Sequence, residues 1–121
     1  GSTYGGNPLA MAAANAVLDV MLEPNFLDSV QEKGDYFKKK LGTLVKSYPN
    51  VMESVRGTGL MLGIKCCVPN LDLMTAFRNH KLLTVVAGEN VLRILPPLNV
   101  GISELDEAIE IIDKVCKKMP V

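Results

Sequence analysis

The sequence predicts an α+β fold: a small antiparallel sheet with helices packed on one face, entered by a long helical arm. Three observations carry this expectation. Apolar residues recur at helical spacing over two stretches at the front of the chain and one at its end. Between them lie β-branched, glycine-punctuated runs joined by short turns. The 121 residues, 48% of them hydrophobic, suffice for one core.

In "GSTYGGNPLAMAAANAV", Asn7 precedes Pro8, and a side-chain cap followed by Pro at the first helical position starts a helix, because Pro lacks the N–H that would go unpaired there. This helix is expected over 8–22. Its alanines permit close backbone approach, while Leu9, Val17, Val20 and Met21 add larger contacts, so it reads as a buried or interface helix. Glu23-Pro24-Asn25 ends it, with Asn25 expected to cap a second helix over 26–47. There Phe37, Leu41, Leu44 and Val45 share a face, and Lys33, Lys38, Lys39 and Lys40 mostly take the other, a solvated surface.

After Pro49-Asn50, "VMESVRGTGLMLGIKCCV" suits two strands, near 51–56 and 60–66, or one bent strand with a bulge. Leu71, Leu73, Met74 and Phe77 mark a short helix ending near Asn79-His80. A hairpin is then expected over 82–86 and 91–95, turning at Ala87-Gly88-Glu89-Asn90. Ser103 with Asp106 resembles a capping box for a last helix over 104–118, whose stripe is Leu105, Ala108, Ile109, Ile112, Val115 and Cys116.

Thirteen basic residues balance thirteen acidic ones, which gives no field to attract nucleic acid or an anionic membrane. No apolar run approaches the ~20 residues of a membrane span. Cys66, Cys67 and Cys116, odd in number and without CxxC spacing, suggest neither a disulfide framework nor a zinc site, and no metal is expected. No secretory signal pattern opens the chain.

The inventory lacks a complete active site: no paired carboxylates on one face, no nucleophile with its base, no Walker loop, no GxGxxG after a strand. His80, the lone histidine, sits at a predicted helix end where it suits the dipole, and is not expected to be catalytic. Two stretches have the composition of ligand-contacting loops. The hydroxyls of Ser2 and Thr3, with glycine N–H groups next to a helix start, suit a phosphate, although the same residues would also serve a plain turn. In "VLRILPPL", Arg93 alternates with apolar neighbours ahead of the rigid Pro96-Pro97, so its guanidinium either faces a pocket, with a carboxylate as bidentate partner, or forms an internal salt bridge. Arg56 has the same ambiguity, and there a structural role is favoured.

"GSTYGGNPLA", "VRGTGLMLGI" and "AGENVLRILPPLNV" followed by "ISELDEAIEIIDKV" resemble, in this order and spacing, the C-terminal part of the class III pyridoxal-phosphate-dependent aminotransferases. The resemblance covers essentially the whole chain. It implies a cytoplasmic homodimer of fold-type I subunits in which a large domain holds pyridoxal 5'-phosphate through a lysine and a small C-terminal domain helps close the substrate pocket. Residues 1–24 would be the phosphate-contacting loop and linking helix, and 25–121 the small domain. Thr3, with Ser2 beside it, matches the threonine that reaches the cofactor phosphate of the neighbouring subunit. Arg93 matches the arginine that binds the α-carboxylate of the amino-acid or 2-oxo-acid substrate. The lysine would precede Gly1, so the chain alone is expected neither to transaminate nor to hold the cofactor. The implied reaction moves an amino group to 2-oxoglutarate, from N-acetylornithine in arginine biosynthesis or alternatively from ornithine or 4-aminobutyrate. A non-catalytic self-association module is the remaining alternative.

Overall fold

A computed structural model describes residues 1–119; the last two residues of the expected 25–121 unit lie outside them. The elements run α1 (Pro8–Met21), α2 (Phe26–Ser47), β1 (Met52–Thr58), β2 (Met61–Cys66), α3 (Asn70–Asn79), β3 (Val85–Ala87), β4 (Val91–Ile94) and α4 (Ile102–Cys116). The four strands form one antiparallel sheet in the order β1-β2-β4-β3. The two antiparallel pairings expected, β1 with β2 and β3 with β4, are both present, and β1 carries an irregularity between Met52 and Ser54.

One sheet face builds the core. Leu62 and Ile64 of β2 lie opposite Ile94 and Leu92 of β4, and all four are buried. Over them pack Phe37, Leu41 and Leu44 from α2, Leu73 and Phe77 from α3, and Leu105, Ile112, Val115 and Cys116 from α4. Fully burying each such side chain contributes about 1.5–3 kcal/mol relative to exposure. Two tyrosines tie the helices together: Tyr36 Oη donates to Asp106 (2.5 Å) and Tyr48 Oη to Asp113 (2.7 Å). Lys38, Lys39 and Lys40 are exposed as expected. Lys38 also donates to the Gly57 carbonyl (2.9 Å), clasping α2 to the end of β1.

Several local expectations give way to backbone geometry. Asn7 does cap α1, its Oδ1 accepting from Leu9 and Ala10 N–H (3.0 and 3.3 Å). Asn25, by contrast, makes no side-chain cap for α2, because the reversal after Pro24 puts it in the left-handed region at φ 67°, a role that Asn tolerates. The first half of the second hairpin shortens to Val85–Ala87 because α3 ends in a Schellman motif. Lys81, at φ 67°, donates to the Arg78 carbonyl and Leu82 to that of Phe77, so the Leu82 N–H is consumed before a strand can start. Ser103 and Asp106 do not cap α4: the helix starts at Ile102, and Glu104 reaches back to accept from the Gly101 N–H at 2.6 Å. Asp106 faces α2 instead.

Of the two readings of the first helix, buried or interface, the buried one does not hold within this chain. No residue of α1 is buried, and Leu9 is 80% exposed. Its last two turns approach the domain, where Ala16, Val17, Val20 and Met21 line an open groove of about 470 Å³ with Phe26 and Leu98.

Candidate functional site

The candidate site lies on the sheet face turned away from the helices. Strand alternation sends Leu92 and Ile94 into the core, so Arg93 between them is exposed on the opposite side. The register carries one row across all four strands: Arg56 opposite Gly63, Gly63 opposite Arg93, and Arg93 opposite Val85. Two guanidinium groups thus share a face with a side-chain-free residue between them. A Cβ at Gly63 would stand 3.0 Å from Val91 Cγ1 and 3.9 Å from Arg56 Cγ, so the arginine stem already borders the space that glycine leaves.

The two arginines have different partners. Arg56 Nη2 lies 3.6 Å from Glu89 Oε2 at the tip of the β3–β4 hairpin, with both side chains largely exposed, a pair worth little to stability. Among the described residues no carboxylate pairs with Arg93. The salt-bridge alternative is therefore realised at Arg56, while Arg93 keeps five N–H donors open to a planar anion. The Leu95-Pro96-Pro97 segment that follows turns toward α2 and α4, and Phe37, Leu82, Ile94, Pro97, Val100 and Ala108 line an apolar groove of about 330 Å³ beside it.

Ser2 and Thr3 stand apart from this row, in the exposed turn ahead of α1. Ser2 Oγ accepts from the Tyr4 N–H (3.2 Å), Gly5 donates to the Ser2 carbonyl (3.3 Å) and Asn7 to that of Tyr4 (3.2 Å), while Gly6 sits at φ 75°. These bonds leave the Thr3 hydroxyl and N–H unengaged among the described residues. A phosphate group fits that donor pair, since an external anion would take up groups that the turn itself does not use.

Other chemistry-bearing residues have structural work. His80 Nδ1 lies 3.0 Å from the Ala76 carbonyl at the end of α3. Cys66 and Cys116 are buried in the core, and that burial pushes their thiols up to about 11 and about 12. One organiser of the site region lay hidden in an ordinary turn. Asn90, at φ 57°, donates to the Cys66 and Val68 carbonyls (2.8 and 2.9 Å) and accepts from the Asn70 N–H (2.8 Å), fastening the Glu89 hairpin tip to β2 and α3. The Glu89-Asn90 pair, two residues that adopt positive φ here, is the only trace this leaves in the sequence.

The family model for aminotransferase class-III matches residues 1–116. Among relatives, an acetylornithine aminotransferase of Bradyrhizobium diazoefficiens is 53% identical over 116 residues, covering 96% of this chain and 29% of that protein. One of Brucella melitensis is 46% identical over 121 residues, which is 100% of this chain and 30% of that protein. The chain thus spans about 30% of the length of the relatives that it matches. Among solved structures, acetylornithine aminotransferase from Elizabethkingia anophelis superposes with a TM-score of 0.87 at 30% identity, covering 98% of this chain and 31% of that one. An ornithine delta-aminotransferase of Plasmodium falciparum does so at 0.84 and 34%, covering 97% and 30%. No helix among the described residues is long and apolar enough to cross a membrane.

Proposed function

The chain belongs to the class-III aminotransferase family, and from that premise we propose that it is the C-terminal part of a cytoplasmic, homodimeric acetylornithine aminotransferase. The parent enzyme moves an amino group from N-acetylornithine to 2-oxoglutarate in arginine biosynthesis. Residues 1–24 act as the cofactor-phosphate loop and linking helix, and residues 25–121 as the small domain that closes over the substrate. The relatives' names support the donor, and the 29–31% coverage of their chains supports a part of a larger protein.

The observation that carries the reading is Arg93, set on an inner strand of a rigid sheet and unpaired by any described carboxylate. Its planar fork binds a substrate carboxylate through two parallel N–H···O bonds and fixes the orientation of the rest of the molecule. Because Leu92 and Ile94 are locked in the core, the guanidinium has a fixed base from which to do so. Thr3 donates its hydroxyl and N–H to the phosphate of pyridoxal 5'-phosphate held by the neighbouring subunit, with Ser2 stabilising the turn. The cofactor, when bound, supplies the electron sink for the transfer. Arg93 and Thr3 hold and position; neither moves a proton, and the lysine that does so belongs to the rest of the parent, so this chain alone neither transaminates nor retains the cofactor.

The test is steady-state kinetics of the full-length parent and its Arg93→Lys variant. Replacing the bidentate fork by a point charge is expected to raise KM for both amino donor and 2-oxoglutarate by roughly tenfold or more, about the worth of one charged hydrogen bond. Unchanged KM for both substrates would refute the assignment. Donor preference is read in the same assay from N-acetylornithine, ornithine and 4-aminobutyrate. Ornithine is the second reading, favoured by the 34% identity to the Plasmodium falciparum ornithine enzyme.

A further inference from the structure

We infer that Arg56 is a specificity residue of the Arg93 site, tilting it toward dianionic over monoanionic acids, with Glu89 as its counterweight. The inference rests on the reading of Arg93 as the carboxylate-binding residue. Three placements carry it. Arg56, Gly63 and Arg93 occupy one cross-strand row on the open sheet face, so two strand spacings, about 10 Å, separate the arginine backbones. Gly63 adds no side chain of its own between them, and the space it leaves is bordered by Val91 Cγ1 and the Arg56 stem. The third cation on this face, Lys65, is next along β2 and donates to the Glu89 carbonyl. Around Arg93 the sheet face therefore bears Arg56 and Lys65, with the Glu89 carboxylate 3.6 Å from Arg56.

The backbone spacing, taken as the separation between the Arg56 charge and a carboxylate seated on Arg93, sets the size and the form of the effect. At about 10 Å and an effective dielectric of roughly 40–80, one unit charge changes the binding of a monoanion by about two- to fourfold. For an acid carrying two charges the factor is squared, roughly four- to sixteenfold. A carboxylate seated on Arg93 places the far end of a short dicarboxylate within the same field. Glu89 opposes it, so removing that carboxylate acts in the opposite sense.

The experiment uses the full-length enzyme and two competitive inhibitors of equal carbon count, glutarate with two carboxylates and valerate with one. For Arg56→Gln the inhibition constant is expected to rise about four- to sixteenfold for glutarate and about two- to fourfold for valerate, and the gap should narrow as salt shortens the Debye length to ~3 Å at 1 M. Glu89→Gln should lower the glutarate constant more than the valerate constant. A merely structural role for Arg56 would move both inhibitors equally, and that outcome, like no change in either, overturns the inference. So does a Glu89→Gln shift in the same direction as Arg56→Gln. Arg93→Lys is measured alongside. If it weakens both inhibitors while the Arg56 variant leaves their ratio unmoved, only the present inference fails; if it weakens neither, the reading of Arg93 falls and takes the inference with it.

Discussion

Two glycines of one helix should answer an alanine substitution in opposite directions. Gly34 and Gly42 both lie within α2, where replacing glycine by alanine would contribute about 1 kcal/mol of helix propensity if nothing else changed. At Gly42 nothing stands within 4 Å of the added Cβ. At Gly34 it would lie 2.5 Å from the Gly59 carbonyl oxygen, 2.6 Å from its carbon and 2.8 Å from its Cα. All three are backbone atoms of the β1–β2 turn, and Gly59 is held at φ 55° in a hairpin closed by the Thr58–Met61 pair. The turn cannot relax alone, so α2 must retreat by about 1 Å, loosening Phe37 and the Lys38–Gly57 bond with it; with three backbone atoms inside 3.0 Å, the cost lies in the upper part of the overpacking range, about 2–3 kcal/mol. Set against the propensity gain, Gly34→Ala should destabilise by roughly 1–2 kcal/mol and Gly42→Ala should stabilise by about 0.5–1 kcal/mol. At about 4 °C per kcal/mol for a domain of this size, the two melting midpoints should differ by roughly 6–12 °C. Urea and thermal unfolding of the chain, followed by far-ultraviolet circular dichroism, measures this. Equal shifts for the two variants, or a Gly34→Ala protein as stable as the parent chain, would refute the close-approach argument.

Asn90→Ala removes three hydrogen bonds and leaves a Cβ-bearing residue at φ 57° without its local compensation, so a loss of about 3 kcal/mol is expected from urea unfolding. Alkaline pH should destabilise the chain. Hydrogen bonds to Asp106 and Asp113, then burial, raise the Tyr36 and Tyr48 phenols above 10, and burial raises the Cys66 and Cys116 thiols from 9 to about 11 and about 12. The folded state therefore binds more protons than the unfolded one above about pH 9, and the urea midpoint should fall as pH rises from 9 to 12, less steeply in Tyr48→Phe. The exposed apolar side of α1 should make the chain self-associate as concentration rises, and Val17→Lys should suppress this in light scattering.

What the sequence could reveal of this molecule divides along a physical line. Helix spans were legible wherever a 3.6-residue stripe met a real core: the stripes of Phe37, Leu41 and Leu44 and of Leu105, Ile112 and Val115 are buried as read. The arm's span was legible too, but its alanine-rich ridge signals close approach without saying to what, and within this chain it approaches almost nothing. Caps and turns went astray where several residues could do one job. Asn25 and Ser103 have the right chemistry, yet a left-handed backbone at one and Glu104 reaching back to Gly101 at the other decided otherwise. The site shows the same limit more sharply. Alternation in "VLRIL" exposes Arg93 opposite Leu92 and Ile94, and composition can go no further, because which residues flank it across the sheet depends on register. A shift of one residue between β1 and β2 would send Arg56 to the core side and leave Arg93 with no cation beside it on that row. The Thr58–Met61 closure at Gly59 fixes that register. Gly59, a turn residue with no ligand chemistry of its own, therefore decides which side chains flank the arginine that the sequence singles out.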